Sequence, residues 1–150
     1  MSALRELYQE VILDHNRSPR NFRRMEDASQ TAEGNNPLCG DHYTVYLKVE
    51  GDVIKDISFE GAGCAISKAS ASLMSGVVKG KTRAEAVAVF EQFHKLVIGE
   101  FTSVAQLNGL GKLAAFAGVS EFPARVKCAI LAWHTLRAAL ESRKEPVTTE

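Results

Sequence analysis

An α+β domain, with a small antiparallel sheet of about three strands and helices packed on one face, is the fold class this sequence predicts. Two strand-like runs, Tyr43 to Val49 and Val53 to Phe59, alternate and are rich in β-branched and aromatic residues. They are joined by Glu50, Gly51 and Asp52, a glycine-containing connection that favours a local hairpin over a parallel crossover. Most of the helical periodicity comes after these strands, which segregates helices from sheet instead of interleaving them. At 150 residues with 45% hydrophobic content, the chain suits one sizeable core and is short for two. Residues 1–150 therefore read as a single domain, with a polar C-terminal tail from about residue 143.

Taken in order, residues 4 to 15 place Leu4, Leu7, Tyr8, Val11, Ile12 and His15 on one helical stripe, and the helix should stop before Pro19. His15 is expected to be a hydrogen-bonded boundary histidine. The polar stretch Arg17 to Asn36 reads as loop, with one short strand near Gln30 to Glu33. After the hairpin, Ala65 to Val78 is crowded with Ala and Ser, which suits a helix lying close against the sheet. Thr82 and Glu85 form a capping box ahead of Ala86, Val89, Phe90, Phe93, Leu96 and Val97, a helix that looks structural. Gly99 to Ser120, broken by Gly109, Gly111 and Gly118, predicts short helical pieces. Pro123 opens the last helix, where its missing N–H costs nothing, and Val126, Ala129, Ile130, Trp133, Leu136 and Leu140 supply its core stripe. The tail from Glu141 to Glu150 is polar enough to fray.

Charge narrows the partners. Lys plus Arg and Asp plus Glu both count 18, so the summed charge gives no reason to expect nucleic acid or an anionic membrane surface. No uninterrupted apolar run is long enough to span a bilayer, and Arg5, Glu6 and Glu10 break up any secretory signal, so a cytoplasmic protein is expected. Three cysteines make an odd number, which argues against a disulfide framework and leaves reduced thiols available for metal or redox work.

Those thiols stand in three different settings. Cys39 lies in a loop ahead of a strand, where Gly40 permits an unusual backbone turn that lets Cys39 and Asp41 aim at one point. Cys64 follows Gly61, Ala62 and Gly63 and opens a helix, where free backbone N–H groups favour a thiolate. Cys128 points about 130° away from the core stripe of the last helix, which argues against simple core filling. Arg125, three residues earlier and on the same side, could steady a thiolate, a persulfide or a partner carboxylate. Three sulfurs and a carboxylate make a quartet that tetrahedral Zn²⁺ accepts, whereas an iron-sulfur cluster would be held more loosely by the same set. With no CxxC pair in the chain, the residues alone leave inert, separately buried thiols as the default alternative.

The motifs around these cysteines, read together, resemble a known family. They are Asn35-Asn-Pro-Leu-Cys39-Gly-Asp41, then Phe59-Glu-Gly-Ala-Gly-Cys64-Ala-Ile-Ser67 with Ala69-Ser-Ala-Ser72, then Phe122-Pro-Ala-Arg-Val-Lys-Cys128 with Leu131 and Trp133. With His15-Asn-Arg-Ser-Pro-Arg-Asn21 they are similar, over nearly the whole chain, to the scaffold and sulfur-transfer proteins of the IscU and SufU type. Lys127 stands where IscU-type proteins have a histidine, and the segment between Cys64 and Cys128 looks longer than theirs, which resembles the SufU branch. The resemblance implies a zinc site from Cys39, Asp41, Cys64 and Cys128 and a SufS-type cysteine desulfurase as partner. It implies Cys39 as the thiol that takes persulfide sulfur, with Arg125 assisting. Other Suf assembly proteins and apo-protein acceptors are further partners it implies. Two alternatives stay open: an IscU-like scaffold that carries a transient iron-sulfur cluster with Lys127 or a histidine completing the ligands, and a small interaction protein with a purely structural zinc.

Overall fold

The computed structural model describes residues 3–100, 109–143 and 145–149. Helix α1 (Ala3–Arg17) leads into a four-stranded sheet built from β1 (Gln30–Asn36), β2 (Asp41–Glu50), β3 (Val53–Ala62) and β4 (Val147–Thr148). Helices α2 (Ala65–Val78) and α3 (Arg83–Val97), a 3-10 segment (Gly111–Glu121) and α4 (Pro123–Leu140) come between β3 and β4. The strand order is β3-β2-β1-β4; β2 pairs antiparallel with both β1 and β3, and β4 runs parallel to β1. No helix among the described residues is long and apolar enough to cross a membrane.

The alternation of β2 sorts its side chains. Asp41, Tyr43, Val45 and Leu47 face the buried side, while His42, Thr44 and Tyr46 point the other way. Helix α4 covers β1 and β2 on the buried face and α2 lies against β3, with α1 packed on α2. Trp133 sits at the centre of the helical layer, stacked on Phe93 at a centroid distance of 4.9 Å and donating its indole N–H to Ser70 Oγ at 3.1 Å. The serines of α2 that suggested close packing are buried and bonded: Ser72 Oγ meets His15 Nδ1 at 2.7 Å, and Ser70 Oγ donates to the Ala129 carbonyl at 2.5 Å. His15 is thus a hydrogen-bonded boundary residue. The capping box is present, with Thr82 Oγ1 accepting from Glu85 N–H and Glu85 Oε1 accepting from Thr82 N–H.

The structure departs from the sequence expectation at both edges. Strand β1 runs to Asn36 rather than stopping at Glu33, because Gly34 lets α4 approach: a Cβ there would lie 2.0 Å from Thr135 Oγ1. The tail does not simply fray either. Val147 and Thr148 pair with Gly34 and Asn35, and Thr149 donates its N–H to the Asn35 carbonyl and its hydroxyl to the Lys127 carbonyl. Leu7, placed on the inner stripe of α1 by periodicity, is exposed, whereas Tyr8, Val11 and Ile12 pack against the core. Phe101 to Ser103 and the rest of 101–108, expected to hold short helical pieces, lie outside the described residues; Gly111–Glu121 adopts 3-10 geometry with Leu113, Phe116 and Val119 inside.

Candidate metal centre

The turn between β1 and β2 brings two donors together. Asn36 and Asp41 face each other across the ladder, so Pro37 to Gly40 form the connection. The Asn36 carbonyl accepts N–H groups from Cys39 at 3.2 Å and Gly40 at 2.9 Å, and Gly40 takes φ +74°, a left-handed value that glycine tolerates without a Cβ penalty. Cys39 therefore rides exposed at the turn while Asp41 starts β2 on its buried face.

The last helix brings the third donor. Cys128 lies in the second turn of α4, buried but outside the main hydrophobic cluster, and its thiol donates to Cys39 Sγ at 3.3 Å. One ligand atom each from Cys39, Asp41 and Cys128 lie within 4.8 Å of one another, close enough for a single ion to be shared. Asp41 Oδ1 accepts the Cys64 N–H at 2.9 Å, and its other oxygen is buried with no partner among the described residues. A buried carboxylate oxygen left unpaired is costly, and a cation answers it. The Cys128 thiol is buried beside it. Burial pushes this thiol far above the ordinary range, and the neighbouring Cys39, Asp41 and Cys64 raise it further. Without a positive charge at this point the thiol stays protonated at neutral pH. Two sulfurs and a carboxylate of this kind fit Zn²⁺.

Cys64, the fourth residue of the expected quartet, is not within that mutual distance. It sits at the N-cap of α2, where its Sγ accepts the Ser67 N–H at 3.4 Å. It still serves the cluster through its backbone bond to Asp41, and its sulfur is near enough to raise the Cys128 thiol. Arg125 is exposed and lies 4.6 Å over the Phe122 ring; among the described residues its guanidinium bonds no member of the cluster. His42, next to Asp41, points away to Glu33 at 3.3 Å, and His94 and His134 stand apart on α3 and α4.

Sequence reasoning passed over a supporting layer. Tyr43 is fully buried, and its hydroxyl lies 2.8 Å from Ser67 Oγ, which donates to the Cys64 carbonyl. A Cβ on Gly63 would come within 2.5 Å of both Asp41 Oδ1 and Ser67 Oγ and within 2.7 Å of Tyr43 Oη. The missed signal was the period of two that sets Tyr43 on the same side of β2 as Asp41.

Residues 7–145 match the NifU-like N-terminal domain. The chain belongs to that family. Among its curated relatives, the zinc-dependent sulfurtransferase SufU of Bacillus subtilis is 42% identical over 130 residues, spanning 87% of this chain and 86% of the relative. The iron-sulfur cluster assembly scaffold protein IscU of Thermotoga maritima is 41% identical over 140 residues, 93% of this chain and 96% of the relative. A solved structure, a candidate iron-sulfur cluster assembly scaffold protein for the SUF system from Fervidobacterium islandicum AW-1, superposes with a TM-score of 0.81 at 38% identity, covering 90% of this chain and 97% of the other. The NifU-like family thus embraces both the SufU and the IscU relatives, as the motif resemblance implied.

Proposed function

We propose that this protein serves iron-sulfur cluster assembly as a zinc-dependent sulfur acceptor, taking persulfide sulfur from a SufS-type cysteine desulfurase. The observation that carries the reading is the unequal pair of sulfurs: exposed Cys39 and buried Cys128 lie 3.3 Å apart beside the unpartnered oxygen of Asp41. Cys39, Asp41 and Cys128 would hold the ion, with Cys64 completing the set by a turn of its side chain away from the α2 N-cap. Zinc, when bound, keeps its thiolate ligands deprotonated at neutral pH.

The chain's own residues do the rest. Cys39 sits on the exposed turn, where an incoming persulfide can reach it, and Leu38 beside it offers an apolar contact to the partner. The Cys39 thiolate attacks the terminal sulfur of the persulfide. A new S–S bond forms at Cys39, the donor's S–S bond breaks, and the electron pair leaves on the desulfurase cysteine, so no outside oxidant or reductant is needed. Arg125, held over Phe122 at the start of α4, supplies positive charge for the persulfide or a partner carboxylate.

The relationship to the Thermotoga scaffold keeps a second reading in play, in which the same donors hold a nascent cluster. One experiment separates the two. Metal content of the purified protein is measured, then cysteine turnover by a SufS-type desulfurase with and without it, with the persulfide mapped by mass spectrometry. Bound zinc, stimulated turnover and a persulfide on Cys39 that vanishes in Cys39→Ser are expected. A stable, transferable cluster after reconstitution, with no stimulation of the desulfurase, overturns sulfur acceptance in favour of scaffolding.

A further inference from the structure

We infer that Asn36 is the positioning residue that makes the two sulfurs unequal: its side-chain amide holds Cys128 in place and leaves Cys39 as the sulfur that reacts. The inference rests on the sulfur-acceptor reading and says how that site chooses its thiol.

Asn36 is fully buried at the end of β1 and touches all three members of the cluster. Its carbonyl fixes the Cys39 turn, its backbone faces Asp41 across the ladder, and its Nδ2 donates to Cys128 Sγ at 3.7 Å. That is the one hydrogen bond its side chain makes among the described residues, because Oδ1 is buried without a partner. Leaving half of a buried amide unpaired is destabilising, so packing alone does not account for Asn at this position. An apolar side chain of the same size would fill the space without that cost.

The direction of the bonds explains the use. The Cys128 sulfur lies 3.3 Å from Cys39 Sγ and accepts the Asn36 amide N–H from its other side. Among the described residues the three sulfurs are therefore treated differently: Cys128 accepts an N–H from Asn36, Cys64 accepts one from Ser67, and Cys39 accepts none. An N–H donated to a sulfur withdraws electron density and fixes its orientation, and thiolate nucleophilicity falls as basicity falls. Cys39 is left as an exposed sulfur that no N–H holds. Asn36 acts on the reaction through Cys128 and does not itself meet the incoming sulfur.

The test uses Asn36→Asp, which keeps the shape and replaces the donor with an acceptor, and Asn36→Leu, which keeps the branched heavy-atom outline and removes both donor and acceptor. Each is loaded with Co²⁺, and the thiolate-to-cobalt charge-transfer band is recorded alongside a chelator competition. Each is then charged by the desulfurase, and the persulfide is located by mass spectrometry. Both variants are expected to shift the band to longer wavelength, as a sulfur released from an N–H donor would, and to bind cobalt about 10-fold more weakly. Persulfide, confined to Cys39 in the parent, is expected to appear on Cys128 as well. A merely structural role for Asn36 could weaken binding but would not move the band. An unshifted band with all persulfide still on Cys39 in a folded Asn36→Leu or Asn36→Asp protein overturns the inference. A parent protein that carries no persulfide on Cys39 overturns the sulfur-acceptor reading first.

Discussion

Replacing Gly63 with alanine should damage the metal centre with little change to the backbone. The residue precedes Cys64 and its φ is not in the left-handed region, so alanine adds no conformational strain there. What it adds is one methyl group, 2.5 Å from Asp41 Oδ1 and from Ser67 Oγ and 2.7 Å from Tyr43 Oη. The first two approaches fall about 0.9 Å short of the 3.4 Å at which ordinary contact begins. Tyr43 is fully buried and cannot retreat, and Ser67 is held by its bond to the Cys64 carbonyl, so the Asp41 carboxylate has to give way. Moving it breaks its bond to the Cys64 N–H and takes the unpartnered oxygen off the cluster. Disturbing the supports of a ligand typically weakens metal binding by about 10–100-fold, and overpacking costs about 1–3 kcal/mol, or roughly 2–4 °C of Tm per kcal/mol at this size. Zinc affinity from chelator competition and Tm from calorimetry are the measurements. Gly76→Ala is the control: a Cβ there meets nothing within 4 Å, and alanine favours the helix by up to about 1 kcal/mol. A Gly63→Ala protein that holds zinc as tightly as the parent would refute Asp41 as a ligand kept in place by this cradle.

Gly34→Ala should lower Tm by pushing α4 off β1, at a cost of about 1–3 kcal/mol, and adding Thr135→Ala should restore part of the loss because Thr135 Oγ1 is the nearest clash. Thr82→Ala should cost about 1 kcal/mol in urea unfolding by removing the cap of α3 while leaving zinc affinity as it was. Stability should also fall on mild acidification. Burial holds the imidazoles of His15 and His134 below the ordinary 6.5, so as pH drops through 6.5 toward the lower folded-state values the unfolded chain binds more protons and stability is lost. A plot of Tm against pH should be flatter for His15→Gln; an equal slope would remove His15 from the explanation.

The elements with strong local signals were legible in the sequence. Helix α2 spans the residues its Ala and Ser run marked, and α3 begins at its capping box. Strand β1 was half hidden because Gln-Thr-Ala-Glu-Gly-Asn-Asn has no hydrophobic alternation to read: its buried positions are Ala32, Gly34 and Asn36, small or polar because α4 lies close and the metal cluster begins there. Strand β4 was lost for a related reason, since two residues pairing at a sheet edge need no composition of their own. The angular reading of Cys128 was sound, as the side chain is buried against Cys39 and Asn36 and not in the main core. Cys64 marks the limit of such reasoning. Its place at a helix start was clear, but a sulfur there can cap the helix or turn to an ion, and spacing does not choose between them.

The 89 residues that separate Cys39 from Cys128 give the protein a birth order. A nascent chain that has emerged as far as α2 already owns the turn, the aspartate and Cys64, yet it lacks the sulfur delivered by the final long helix. An ion held as proposed could be captured by Cys128 only after that helix has emerged. Such an ion would clamp the first hairpin to the last helix and, by mass action, resist their separation. A chain that stops short of that helix would lack the clamp, so a bound ion would report that α4 had been made and docked.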